Sequence, residues 1–188
     1  MDNQQIILNQ ALELFAARGY DAVGVQEIVE QAGITKPTLY HYFGSKLGLL
    51  QALLSAPNDI LLDELEKACA YHGDLPLTLT HITSTYFNFA ASHRLFYRLQ
   101  LALWLAPRDS DGFQLVEDYN RRQYRLVEAV FLQATAEHGN MRGRQRAFAS
   151  TLIGMINTYI SLALNNHAEL NDDLVWLAVR QFQYGIYS

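Results

Sequence analysis

Side chains that can donate hydrogen bonds to phosphates or to base edges are concentrated in residues 35–46. Lys36, Thr38 and His41 can donate to either kind of acceptor, and the apolar ring of Pro37 suits a thymine methyl group. The full candidate set is Thr35, Lys36, Pro37, Thr38, Tyr40, His41, Tyr42 and Lys46. The chemistry that these residues favour is non-covalent recognition of DNA, although a solvated helix face would carry similar residues.

Other chemistry has little support in the sequence. Cys69 and His72 are three residues apart, but two ligands do not make a structural zinc site. The 6 histidines lack ligand spacing. No glycine-rich phosphate loop, nucleophile elbow or catalytic carboxylate pair is visible. We therefore predict no catalytic residues, no metal site and no cofactor.

The DNA-binding candidates lie on a short predicted helix that follows a glycine turn. Thr35 can cap this helix, and Pro37 stands in its first turn, where the missing N–H costs little. Leu39 and Phe43, four residues apart, are both expected to face the core. A helix this short is marginal in water, so neighbouring elements must support it.

Two preceding helices supply that support. Residues Val25, Ile28, Val29 and Ala32 follow one helical face, and Gly33 is placed to end that helix. An earlier apolar stripe comprises Ile7, Ala11, Leu14 and Phe15 and is followed by Gly19. Helix, short turn with glycine, and helix form a helix-turn-helix pattern. Ser45 is expected to cap the next helix.

These motifs carry a family resemblance. The order ALELFAARGYDAVGVQEIVEQAGITKPTLYHYFGSKLGLLQALL resembles the amino-terminal DNA-binding domain of the TetR (tetracycline repressor) family of bacterial regulators, with the match covering roughly residues 5–54. The resemblance implies a homodimer that binds an operator and releases it when a small effector binds. Beyond this domain, the resemblance rests only on length and helical pattern.

Two features depart from that family pattern. Many members carry a threonine followed by serine or threonine before the second helix, where this chain has Val23 and Gly24. A hydroxyl contact with phosphate is therefore absent there. Residues 1–55 carry three basic and five acidic side chains, a net charge of 3 − 5 = −2. No acidic residue lies between Gly33 and Ser55, so we expect a locally positive face.

The chain is expected to be all-α, with about nine helices in two domains. We predict a helix-turn-helix domain at residues 1–55 and an effector-binding and dimerisation domain at 56–188, divided near Pro57, which should break or kink a helix. One cysteine, no visible signal peptide and no apolar stretch of about 18 residues favour a cytoplasmic protein without a membrane partner.

The middle helices contain many aromatic residues with polar groups among them. Such a lining is typical of a ligand pocket, and equally of an ordinary helical core. The family resemblance implies an effector here, which we expect to be a mostly apolar molecule, aromatic compounds included. The candidate residues are Tyr86, Phe89, His93, Tyr97, Trp104, Asn120 and Tyr124.

The last two predicted helices are apolar on much of their circumference. A helix of this kind needs cover on more than one side, which a two-fold four-helix interface would provide. The candidate interface residues are Phe148, Leu152, Ile156, Tyr159, Val175, Val179, Phe182 and Ile186. A core helix in a monomer is the alternative. A dimer would hold two reading helices about 34–36 Å apart, which matches successive major grooves.

The sequence therefore favours a homodimeric, ligand-responsive transcriptional regulator, and a repressor rather than an activator. One alternative keeps the fold without operator binding and acts through a protein partner. Its support is the acidic amino-terminal domain and the missing hydroxyls at Val23 and Gly24. A small-molecule enzyme is a second alternative, for which the sequence offers no catalytic group.

Overall fold

The computed structural model describes residues 2–185, which form nine α-helices and one 3-10 helix, without a strand in that range. The all-α prediction is confirmed. The helices are α1 (Asn3–Arg18), α2 (Val25–Ala32), α3 (Lys36–Phe43), α4 (Lys46–Ala68), α5 (Leu75–Ser92), α6 (Arg94–Trp104), α7 (Asp111–Ala134), α8 (Gln145–Leu164) and α9 (Asp172–Tyr184), with the 3-10 helix at Gly139–Met141.

The helices are grouped in two compact units. The first comprises the chain up to Asp59 together with Arg94–Tyr119, and the second comprises Ile60–His93 together with the chain from Asn120 onward. The division between the units falls inside α4 and inside α7. The functional division between residues 55 and 56 stays a prediction.

The first unit is organised around α1. Its apolar stripe, Ile7, Ala11, Leu14 and Phe15, is buried as the sequence predicts, and α1 packs against α2, α3 and α6. Gly33 follows α2 in the left-handed conformation at φ 65°, and its N–H donates to the Glu30 carbonyl. Glycine adopts this conformation without a steric penalty. The turn sets the direction in which α3 leaves α2.

Helix α4 continues through Pro57. The sequence predicted either a break or a kink there, and the helix is not broken. Leu50 and Leu54 before the proline, and Leu61 and Leu65 after it, are all at most 1% exposed. An interior proline costs about 3 kcal/mol, whereas each fully buried leucine contributes about 1.5–3 kcal/mol. Burial on both sides of Pro57 therefore outweighs the local cost.

The second unit is built on α5, which packs against α8 and α9. Ile82, Tyr86 and Phe87 of α5 are buried in its core. Helix α8 is, by length and composition alone, apolar enough to cross a membrane, so the expectation that no stretch reaches that length was wrong. Seven of its residues are buried within the unit, and a core helix meets the same criteria.

Candidate nucleic-acid interface

Helix α3 presents most of its surface to solvent. Leu39 is fully buried and anchors the helix on the first unit. The Tyr40 and Tyr42 side chains are 46% and 38% exposed, although both are large and aromatic. Lys36, Pro37 and His41 are also exposed, and Thr38 is half-buried. Six of the eight candidates therefore lie on one exposed eight-residue helix that packs against α1 and α2, while Thr35 is its N-cap and Lys46 is the first residue of α4.

The start of α3 differs in detail from the expected cap. Thr35 occupies the N-cap position with extended backbone, but its side chain makes no capping hydrogen bond. Its hydroxyl instead pairs with the Thr38 hydroxyl, with 2.9 Å between the two oxygens. The first amides of α3 are therefore not capped by Thr35. Two hydroxyls and free N–H groups at a helix start can together bind a phosphate oxygen.

Lys46 opens α4 beside α3 and lies over two aromatic rings of α1 and the following turn. Its Nζ is 4.1 Å from the centroid of the Tyr20 ring and 5.9 Å from that of Phe15. The two rings contact each other edge to face at 5.2 Å. Burial lowers the pKa of Lys46, while the nearby Asp21 carboxylate opposes that shift. An aromatic face attracts a cation and fixes its position.

The cap of α4 is the one that the sequence predicts. The backbone N–H of Gly48 donates to the Ser45 hydroxyl oxygen at 2.9 Å. Gly48 also lies directly against the Phe43 carbonyl, so that a side chain there would overlap that oxygen. The tight approach fixes the last residue of α3 against the first turn of α4, and thereby the placement of Lys46.

The locally positive face around α3 stays a prediction, and one acidic residue, Asp21, lies near Lys46. Arg18 is ion-paired with Glu27 of α2, so this arginine links two supporting helices. Gly24 is the N-cap of α2 without a side-chain capping bond, and Val23 is buried in the core. The valine that replaces a hydroxyl residue thus serves packing.

The predicted effector residues fall in both compact units. Tyr86, Phe89, His93, Asn120 and Tyr124 belong to the second unit, and Tyr97 and Trp104 belong to the first. In the second unit the His93 ring stacks on Phe89 at 4.4 Å, and burial raises the pKa of Tyr124. In the first unit the Trp104 ring stacks on Phe113 at 5.2 Å.

The predicted interface residues mostly face the interior of the second unit. Leu152, Ile156, Val175 and Val179 are buried there, so they have little surface to offer a partner. Phe148, Tyr159 and Phe182 are half-buried, and Ile186 lies outside the described residues. The outward side of α9 carries other large side chains, namely Trp176, Leu177 and Tyr184, which are 60%, 48% and 60% exposed.

Two residues outside the predicted sets have contacts with functional candidates. Tyr20 lies under the Lys46 ammonium. Gln123 is buried and accepts a hydrogen bond from the Tyr86 hydroxyl at 2.9 Å. The position of Gln123, three residues after Asn120 on one face of α7, was a signal available in the sequence.

Comparison with known proteins agrees with this geometry. The family model described as bacterial regulatory proteins, tetR family, matches residues 7–53. The HTH-type transcriptional activator FasR of Mycolicibacterium smegmatis is 28% identical over 95% of this chain and 80% of its own length. Other curated relatives match over 34%, 39% and 43% of their lengths.

Solved structures share the fold over nearly the whole chain. A putative fatty acid metabolism regulator of Clostridium perfringens has a TM-score of 0.82 at 20% identity, covering 97% of this chain and 99% of that one. The regulator FadR of Bacillus subtilis, solved in complex with stearoyl-CoA, has a TM-score of 0.77 at 19% identity, with the same two coverages. At sequence identities of 19% and 20%, these structural similarities establish the shared fold and no more.

Proposed function

Because the chain belongs, through its amino-terminal helix-turn-helix domain, to the TetR family of bacterial transcriptional regulators, we propose that it is a cytoplasmic, ligand-responsive repressor that binds a palindromic operator as a homodimer. Residues 1–55 would bind DNA, and residues 56–188 would bind the effector and dimerise. The observation that carries this proposal is the exposed, polar and aromatic surface of α3, on a helix whose single buried residue is Leu39.

In the proposed complex, α3 enters the major groove. Lys36, Thr38 and His41 contact base edges or phosphates, and Pro37 packs against a thymine methyl group. Tyr40 and Tyr42 direct their hydroxyls to phosphate oxygens, and Thr35 adds a hydroxyl at the helix start. Lys46 binds a phosphate at the amino terminus of α4, where the helix dipole adds to its charge.

The proposed dimer pairs α8 and α9 with the same helices of a second copy. The exposed Trp176, Leu177 and Tyr184 of α9 offer apolar area that water otherwise covers. The exposed side of α8 includes Gly154 and Ser161, which are small and allow another helix to approach closely. The half-buried Phe148, Tyr159 and Phe182 would contribute from the edges of this surface.

The proposed effector is a fatty acyl compound. The core of the second unit contains buried aromatic side chains such as Tyr86, Phe87 and Phe131, and a site opened among them would suit an alkyl chain. Support also comes from the fold-sharing regulator that was solved with stearoyl-CoA. Tyr86, Phe89, His93, Asn120 and Tyr124 are the proposed contacts, whereas Tyr97 and Trp104 keep their predicted role without further support.

Effector binding is proposed to weaken operator binding by changing the separation of the two reading helices. A ligand shifts such an equilibrium only when it binds one separation more tightly than the other. Helix α4 carries Lys46 at one end and continues into the second unit, so movement of this helix would displace the DNA contacts.

The test is selection of genomic fragments by the purified protein at two salt concentrations, followed by footprinting with and without stearoyl-CoA. Enrichment of an inverted repeat, with binding that weakens as salt rises, is the expected result. Release of the DNA on addition of stearoyl-CoA would support a fatty acyl effector. Tighter DNA binding in its presence would reverse the proposed direction of regulation. If no sequence is enriched at either salt, the alternative is favoured, in which the fold acts through a protein partner.

A further inference from the structure

The buried face of α7 contains two amide side chains among apolar ones. Asn120 and Gln123 are 9% and 5% exposed, and Val127 and Val130 continue the same face at 0%. Residues three apart on a helix lie on adjacent turns and point to the same side. The two amides therefore form a polar patch, followed on the same buried face of α7 by apolar side chains within the second unit.

Each amide has a buried N–H donor group without an acceptor. The Gln123 oxygen accepts the Tyr86 hydroxyl at 2.9 Å, but its nitrogen Nε2 has no partner among the described residues. The Asn120 nitrogen Nδ2 is also without a partner in that part of the chain. Buried polar groups are nearly always paired, because an unpaired one loses its hydrogen bonds to water without replacement.

The two unpartnered groups share one chemical character, because both are donors. Their complement is an oxygen that carries lone pairs and no proton, such as a carbonyl or a carboxylate oxygen. The apolar side chains that follow on α7, Val127 and Val130, would contact an alkyl chain attached to that oxygen-bearing group. The arrangement matches a molecule with an acceptor group at one end of a long apolar chain.

We propose that the amide nitrogens of Asn120 and Gln123 receive the acyl carbonyl oxygen of the effector and so select acyl compounds over other apolar molecules. The inference rests on the proposed function, since it concerns the same effector site. Tyr86 acts as a positioning residue, because its hydroxyl holds the Gln123 oxygen and leaves the amide N–H groups directed away from it.

The two unpaired amide donors would lower the stability of the protein without its ligand. An apolar side chain of similar shape at either position removes the unpaired donor, so we expect it to raise the melting temperature without ligand. Such a gain combined with a loss of ligand discrimination identifies a site that is built for binding. A residue that serves the fold alone would lower the melting temperature when replaced.

The experiment compares two probes on the full-length protein by calorimetric titration, namely stearoyl-CoA and its octadecyl thioether, in which a methylene group replaces the carbonyl. The parent protein is expected to bind the thioester about tenfold more tightly, which corresponds to about 1.4 kcal/mol. Asn120→Leu should abolish most of this preference. The double variant Gln123→Met, Tyr86→Phe should do the same. The second substitution is needed because the Tyr86 hydroxyl would otherwise lose its acceptor on Gln123.

Thr83→Val is the matched control, because Thr83 is equally buried in this unit but its hydroxyl already donates to the Leu79 carbonyl. It should keep the tenfold preference. Equal binding of both probes by the parent would overturn the inference while leaving the acyl effector in place. Binding of neither probe would overturn both, and a variant that weakens both probes equally would assign the amides to the fold.

Discussion

The Lys46 ammonium lies 4.1 Å from the centroid of the Tyr20 ring, across a separation of 26 residues in the sequence. This contact joins the turn after α1 to the first turn of α4. It holds a flexible cation beside the exposed surface of α3, where the proposed phosphate contact is made. Tyr20 is thereby placed as a positioning residue for Lys46.

We expect Lys46→Ala to weaken binding to all DNA sequences by a similar factor. Loss of one phosphate contact should reduce the slope of log K against log salt concentration by about 1. Fluorescence anisotropy with operator and unrelated duplexes, at several salt concentrations, measures both effects. Weakening confined to the operator would instead make Lys46 a base-reading residue.

Tyr20→Leu should weaken DNA binding through Lys46. The substitution keeps an apolar side chain but removes the aromatic face, whose attraction for a cation is worth about 0.5–2 kcal/mol. In a double-mutant cycle, the effect on DNA affinity should vanish when Lys46 is already alanine. Tyr20→Phe retains the ring and should bind DNA as the parent does. Additive effects of the two substitutions would mean that Tyr20 does not act through Lys46.

Lys36→Ala and Thr38→Val should relax base preference at particular positions rather than weaken binding to every DNA sequence equally. A specific side-chain contact with a base edge is worth about 1–3 kcal/mol of discrimination. Binding to a set of operators with single base-pair changes should therefore show relaxed preference at one or two positions for each variant. Uniform weakening at every position would indicate phosphate contacts for these two residues.

Much of the candidate DNA interface could be predicted from the sequence because the signals are local. Gly33 ends α2 in the left-handed conformation, and the Ser45 hydroxyl accepts the Gly48 N–H, both at the positions where residue type alone places them. The apolar spacing of α1 likewise fixes which side of that helix is buried. Caps and periodicity depend on neighbours within about one turn, which the sequence displays directly.

Features that depend on distant residues could not be predicted in the same way. The continuity of α4 through Pro57 depends on burial of leucines on both sides of it, and the Tyr20–Lys46 contact depends on tertiary packing. In α8 and α9, apolar residues occur around much of each helix, so periodicity does not distinguish the inward side from the outward one. In the structure Val175 and Val179 face inward and Trp176 faces outward. The sequence pattern could not assign these orientations.

Gly48→Ala should destabilise the protein, although alanine is ordinarily the better helix former. The new methyl group would overlap the Phe43 carbonyl oxygen, and relief requires movement of backbone. Overpacking of this kind costs about 1–3 kcal/mol, which should lower the melting temperature by several degrees in thermal unfolding. Gly139→Ala is the control, because its new methyl group would have no atom within 4 Å and its φ is not positive. Equal melting temperatures for the two variants would contradict the tight approach.

Leu177→Arg should dissociate the proposed dimer. Leu177 is 48% exposed on the outward side of α9, where an arginine from each copy would bring charge into an apolar contact. Sedimentation velocity should show a shift toward the 21.4 kDa monomer, and operator binding should weaken because the two reading helices are no longer tied together. Leu132→Arg is the matched control on α7, where the leucine is 63% exposed, and it should remain dimeric. The opposite pattern, a dimeric Leu177→Arg variant and a monomeric Leu132→Arg variant, would move the interface from α9 to α7.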